Sequence, residues 1–287
     1  MKLSILAFVS LALSLDFVRG QGGLPQINTC GTISPSPAER TAQEAQYQAS
    51  LKAKPVPERL DDVVIPVYYH VTYANQTFAG GYISNQQVQA AFDMLVSGFQ
   101  GSGFTFRLEE VQRHNNPTWF TLVEWNNPPT EHINQEMKMQ TRVGGPRTLN
   151  IWTVGMQRAI GYAQYPWDYM IAKHTDGVTM KYDIFPNNGD SYRFGKTLIH
   201  EVGHWLGLYH TFEGNSCFGD NDFVADTPAQ AQATDTFSGC GSRDTCPTQP
   251  GLDPVSNYMD YSSDVCLIQF TQGQKDRMWG QYQTFRA

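Results

Sequence analysis

A mixed α/β fold is predicted for this 287-residue chain: a twisted, mostly parallel sheet with helices in a first lobe, then an irregular second lobe closed by a helix. Three observations predict it. Runs of β-branched and aromatic residues alternate with helix-patterned segments from Asp61 to about Phe194. The stretch 214–257 shows no period and carries most of the cysteines. The composition, 40% hydrophobic and 16% charged, is enough to bury a sizeable core.

Each element has a local reason. Val63 to Val71 is rich in β-branched and aromatic residues and reads as a strand, with Pro66 marking an edge or a bulge. Ser84 and Gln87 form a capping box for a helix through Val88, Phe92, Leu95 and Val96, and the glycines from Gly98 to Gly103 end it. Phe104 to Val111 alternates, with Phe104, Phe106 and Leu108 on one side. Leu149 to Val154 and Gly177 to Phe185 are further short strands between Gly, Pro and Asn clusters. A helix begins near Phe194, and Thr271 to Phe285 reads as the closing helix.

The amino end has the form of an export signal. Lys2 supplies the positive charge, Leu3 to Leu15 is an apolar run, and small residues place the cut after Gly20. A membrane anchor needs about 18 or more apolar residues, and Asp16 and Arg19 end this run first. Secretion into an oxidising space follows. Residues 21–59, rich in Pro, Gln, Ala and Ser, are too polar for a core of their own and read as a propeptide or N-terminal arm. Lys52, Lys54 and Arg59 at its end are sites for a processing protease. The range 60–287 is then the main domain. Asn75-Gln76-Thr77 is a glycosylation sequon. Cys217, Cys240, Cys246 and Cys266 suggest two disulfides, with three connectivities open, and leave Cys30 over. A net charge of −7 with no basic stripe argues against nucleic acid as a partner.

The chemistry is concentrated in HEVGHWLGLYH, residues 200–210. Positions i and i+4 of a helix share a face, so His200 and His204 present two imidazoles to one metal, with Glu201 beside them. Gly207 allows the turn that brings His210 round as a third ligand. Three neutral imidazoles leave zinc one open position, where it lowers the pKa of a water that Glu201 deprotonates. Glu213, Asp220, Asp222 and Asp226 put hard oxygen donors in one loop, a chemistry suited to calcium.

This string resembles that of the metzincin metalloproteases, and Asn257-Tyr258-Met259-Asp260-Tyr261 is similar to their methionine turn. With the following cysteines, NYMDYSSDVC and the closing Phe-Thr-x-x-Gln segment, the last 90 or so residues resemble the pappalysin family, in particular its secreted fungal and microbial members. The resemblance implies a metzincin-like fold with the zinc in a cleft between two lobes. It implies His200, His204 and His210 as zinc ligands, Glu201 as general base and Met259 as the floor of the site. It offers Tyr261 as a group near the oxyanion. It also implies the pairs Cys217–Cys246 and Cys240–Cys266, calcium near residues 213–227, and Cys30 as a latency thiol on the zinc of a zymogen.

The activity expected is a secreted, monomeric zinc endopeptidase acting on protein or peptide substrates. A zinc hydrolase of a narrow non-protein substrate, or an inactive binding protein on the same fold, are the other classes the residues allow. Asp264, just past the methionine turn, is a candidate for a specificity pocket that favours basic side chains.

Overall fold

The computed structural model describes residues 30–59, 61–184, 195–236 and 238–287. The export signal at 1–20, the first part of the arm, Phe185 and Phe194 lie outside the described residues. A five-stranded sheet organises the first part: β1 (Val63–Tyr73), β2 (Phe104–Asn115), β3 (Leu149–Val154), β4 (Gly161–Ala163) and β5 (Val178–Lys181). The order is β2-β1-β3-β5-β4, parallel except for β4, which runs antiparallel to β5 at one edge. The sheet is mixed and mostly parallel, as the alternation of strand and helix signals predicts.

β1 is not an edge strand. It lies between β2 and β3, which explains why its second half is buried on both faces. Pro66 is accommodated because pairing with β3 begins only at Val67 and a register shift against β2 follows between Val67 and Tyr68. On one face, Ile65, Val67, Tyr69 and Val71 join the core beneath α2 (Asn85–Gly98) and α6 (Lys196–Trp205). On the other face, Trp152 and Val154 pack with Trp119 and Val123 from α3 (Pro117–Leu122) and its end, and with Ile133 and Met137 from α4 (Glu131–Thr141).

Helices α3 and α4 carry little sequence signal. α3 has six residues, begun by Pro117 and capped by Asn116, and the few apolar residues of α4 leave little periodic signal. A four-residue turn of helix, α5 (Tyr169–Ala172), precedes β5. The Ser84 capping box of α2 forms as read, and Thr271 with Gln274 makes the same device at the start of α7 (Gln272–Phe285). α2 and α6 approach closely because Gly98 offers no side chain where Ile199 packs.

Beyond α6 the chain is irregular and is tied by Cys217–Cys246 and Cys240–Cys266. Each closes a loop long enough to remove about 3–4 kcal/mol of unfolded-chain freedom. The arm is more ordered than its composition suggests. Ser36 and Glu39 form a capping box with Pro37 in the first turn, starting α1 (Pro37–Ala53). That helix buries only Tyr47 and is held by docking on α7: the Tyr47 ring sits against Gly280, Arg277 pairs with Glu44 at 2.8 Å, and Trp279 Nε1 donates to Pro57 O. Among the described residues no helix is long and apolar enough to cross a membrane. Asn75 is exposed in the turn after β1, where its side-chain oxygen accepts from the Thr77 N–H and hydroxyl.

His70 on β1 is fully buried, stacked between His114 and Trp152, with Nε2 2.9 Å from Asn150 Oδ1. Burial, opposed in part by Asn150, lowers it from an ordinary 6.5 to about 4. Between those pH values the unfolded chain binds a proton that the folded chain refuses, so stability falls as the pH drops through this window. The loss attributable to His70 is about 3 kcal/mol. Urea titrations of His70→Gln from pH 7 to pH 4 should show a correspondingly shallower loss than wild type; equal slopes would assign the acid sensitivity to other groups.

Candidate active site

α6 is buried along nearly its whole length, from Thr197 to Trp205, and carries the histidine motif into the interior. It starts at Gly195 and ends where Gly207, at φ +95°, turns the chain sharply; a side chain there would strain the backbone and strike Gln281. The turn brings His210 against the helix. His204 Nε2 then lies 3.1 Å from both His200 Nε2 and His210 Nε2.

The outer ring nitrogens fix the protonation pattern. His200 Nδ1 is 2.7 Å from Tyr258 O, and His204 Nδ1 is 2.7 Å from Leu208 O. Carbonyls only accept, so both Nδ1 atoms carry the proton and both Nε2 atoms present lone pairs inward. His210 Nδ1 faces the Glu213 carboxylate at 3.2 Å, which sets the same tautomer. Burial, reinforced by the neighbouring imidazoles, lowers His200 to about 3 and His204 well below its ordinary value. His200 and His204 are therefore neutral, and with His210 they aim their Nε2 atoms at one point, an arrangement suited to a cation between them.

The methionine turn supports this cluster. Met259 is fully buried and its sulfur packs where a side chain on Gly203 would stand. Its carbonyl accepts from Thr211 N–H, and Asn257 braces it, with Asn257 itself bonded to Gln274 of α7. Tyr261 OH is 3.1 Å from His210 Nε2.

The arm crosses this site. Cys30 Sγ lies 3.6 Å from His204 Nε2, and the four donor atoms of Cys30, His200, His204 and His210 fall within 4.8 Å of one another. Tetrahedral zinc, with nitrogen at about 2.0–2.1 Å and sulfur at about 2.3 Å, requires about 3.3 Å between nitrogens and about 3.6 Å between nitrogen and sulfur. The donor set and its spacing fit that ion. Thr32 donates its hydroxyl to Glu201 Oε2 at 2.7 Å and receives the Ala163 N–H at 2.8 Å, while Gly31 N–H donates to Gly161 O at 2.7 Å. The arm thus lies along the outer edge of β4. Gly161 lets that strand come against Glu201, since a side chain there would meet the Glu201 chain at 2.9 Å. Burial pushes Glu201 up to about 8, with Thr32 and Cys30 pulling it back. A cleft of about 850 Å³ continues along β4, lined by Trp125, Glu131, Lys138, Tyr162 and Asp168.

The acids expected near calcium do not gather. Glu213 is committed to His210, Ser34 and Arg40; Asp222 accepts from Val224 N–H; Asp226 accepts from Thr271 and Gly273 at the start of α7. Among the described residues, the histidine–cysteine cluster alone brings three or more metal-ligating side chains to one point. Asp264 accepts from Lys196 N–H at the first turn of α6. Sequence reasoning missed Thr32 and the role of Glu213. The Thr-Cys-Gly-Thr string and the three-residue spacing from His210 were the available signals.

The family model described as pregnancy-associated plasma protein-A matches residues 148–283. An extracellular metalloprotease of Sordaria macrospora is 36% identical over 267 residues, covering 90% of this chain and 89% of the relative. The chain belongs to the pappalysin family of metalloproteases. An extracellular metalloprotease of Verticillium alfalfae is 38% identical over 275 residues, with 92% of each chain covered. Among solved structures, a mutant of Tannerella forsythia promirolysin superimposes with a TM-score of 0.72 at 27% identity, covering 90% of this chain and 95% of that one. Mature mirolysin of the same organism, in complex with a cleaved peptide, gives 0.63 at 30% identity, covering 77% and 91%. As a pappalysin, the chain is a metal-dependent peptidase with peptide substrates.

The end of α6 is anchored by a buried charge cluster. Asp176, fully buried, accepts from both terminal guanidinium nitrogens of Arg286 at 3.0 and 3.1 Å and from Trp205 Nε1 at 3.1 Å, while Arg286 lies 3.6 Å over the Trp205 ring. Asp176→Ala should cost about 3–5 kcal/mol by leaving the guanidinium buried without its anion. Chemical denaturation would measure it, and a loss under 1 kcal/mol would mean that the histidine helix does not depend on this anchor.

Proposed function

We propose that this pappalysin is a secreted zinc-dependent endopeptidase, made as a latent precursor whose residues 21–59 are removed to free a catalytic domain spanning 60–287. What carries the reading is the convergence of three imidazole nitrogens, at zinc-compatible spacing, beside the Glu201 carboxyl. His200, His204 and His210 would hold the ion. Bound zinc supplies Lewis acidity, polarising the scissile carbonyl and lowering the pKa of water toward about 7.

The chain's own groups do the rest. Glu201 takes a proton from the attacking water and returns it to the leaving amine. The Tyr261 phenol, beside His210 Nε2, is in reach of the developing oxyanion. An extended peptide lies along β4, bonding to Gly161 O and Ala163 N–H in place of the arm. A cleft of about 850 Å³ beside the β4 edge suits an extended chain better than a small molecule, which favours an endopeptidase over a narrow-substrate hydrolase.

Latency follows from the same contacts. Cys30 Sγ stands where a fourth zinc ligand belongs, and Thr32 occupies Glu201. The larger share of this chain covered by promirolysin than by the mature enzyme, 90% against 77%, supports reading the amino-terminal arm as a pro-segment.

Casein digestion followed by mass spectrometry tests the reading. After the arm is removed, Glu201→Ala should retain its zinc and lose about 10²–10⁴-fold in turnover; near-normal cleavage by that variant would overturn the mechanism. In the unprocessed chain, Cys30→Ser should raise activity above the latent level. Equal latency in the two precursors would remove Cys30 from the switch.

A further inference from the structure

His200 and His204 rest their outer nitrogens on main-chain carbonyls, but His210 rests its own on a carboxylate. Glu213 follows three residues later in the same turn, its N–H donating to His210 O at 3.1 Å. Both of its oxygens are shared with the arm. Oε2, 3.2 Å from His210 Nδ1, also accepts from the Ser34 hydroxyl at 3.1 Å, and Oε1 accepts from Arg40 Nη1 at 3.0 Å. The Glu213 side chain is only 2% exposed and that of Arg40 11%, so this is an ion pair largely removed from water.

We propose that Glu213 is the positioning residue for His210 and that Arg40 latches the arm to the same carboxylate, a second point of latency independent of Cys30. The inference rests on reading His210 as a metal ligand and the arm as removable. A carboxylate on the outer nitrogen orients an imidazole and raises its basicity toward a metal. While the arm is in place, the Arg40 guanidinium offsets the charge that Glu213 presents to His210. When the arm leaves, Glu213 loses Arg40 and Ser34 together and its charge is turned to His210. A buried carboxylate stripped of its cation is costly, so Glu213 also favours the closed arm. The capping box at Ser36 sets the first turn of α1 and thereby the place of Arg40, whose Nη1 also donates to Pro35 O. One turn further on, Glu44 pairs with Arg277 and does not touch Glu213. It serves as an internal control.

The test uses the full chain loaded with zinc. Amide hydrogen exchange across residues 37–53 reads arm opening in Arg40→Met, Glu213→Gln and the double variant. Each single change should speed exchange about tenfold, and the double should be no faster than the quicker single, because both remove one interaction. Glu44→Gln combined with Glu213→Gln should instead multiply. Zinc loss to a chelator should be about tenfold or more faster in Glu213→Gln, and faster there than in Arg40→Met, which opens the arm but keeps the carboxylate. Arg40→Lys should exchange within about twofold of wild type, so its comparison with Arg40→Met reads the charge even if Glu213→Gln does not fold.

Multiplying effects of Arg40→Met and Glu213→Gln would overturn the latch, and unchanged zinc retention in Glu213→Gln would overturn the positioning role. A wild-type chain that takes up no zinc would sink the peptidase reading together with the His210 half of the proposal, while the exchange cycle would still decide the arm half.

Discussion

Imidazole nitrogens crowded together, with His204 Nε2 3.1 Å from both His200 Nε2 and His210 Nε2, are unfavourable in a folded protein without a cation, and much of this molecule is arranged to hold them there. Each ring is fixed from behind by a different piece of chain. The methionine turn supplies Tyr258 O, the end of the helix motif supplies Leu208 O, and the loop after His210 supplies Glu213. Burial keeps His200 and His204 neutral, so their Nε2 lone pairs stay available. The disulfides tie down the irregular segment that carries or flanks two of these three supports.

The arm uses the same constraint from the other side. It brings a thiol sulfur to the histidine nitrogens, a hydroxyl to the Glu201 carboxylate and a guanidinium to Glu213. It also takes the edge hydrogen bonds of β4 at Gly161 O and Ala163 N–H. α1 buries one aromatic ring, so its position is maintained by polar and ionic contacts to α7 and the site rather than by a core of its own. Such contacts hold a segment in register without a core of its own.

Much of the fold was legible because its signals are local. β-branched runs, the Ser84 capping box and the Thr271 helix start each depend on a few neighbouring residues. α3, α4 and β4 were not legible, since a six-residue helix, a polar helix with few apolar contacts and a three-residue strand carry almost no periodic signal. Pro66 signals an edge or a bulge, and the register shift between Val67 and Tyr68 is the second of these; the late start of β3 pairing lets a central strand accept it.

By itself, the sequence determined the chemistry of the site: HEVGHWLGLYH places two histidines one helical turn apart, a carboxylate beside them and a glycine where the helix must stop, all within eleven residues. Helical geometry is a local property, so those relations hold wherever the helix is placed. Tertiary structure alone decided what surrounds the motif. Cys30 and Thr32 are 174 and 169 residues from their partners His204 and Glu201, and Arg40 is 173 from Glu213. Contacts across such distances are selected by packing of the whole chain. That packing turns an acidic residue which reads as a loop ligand into the support of a histidine and the anchor of the arm.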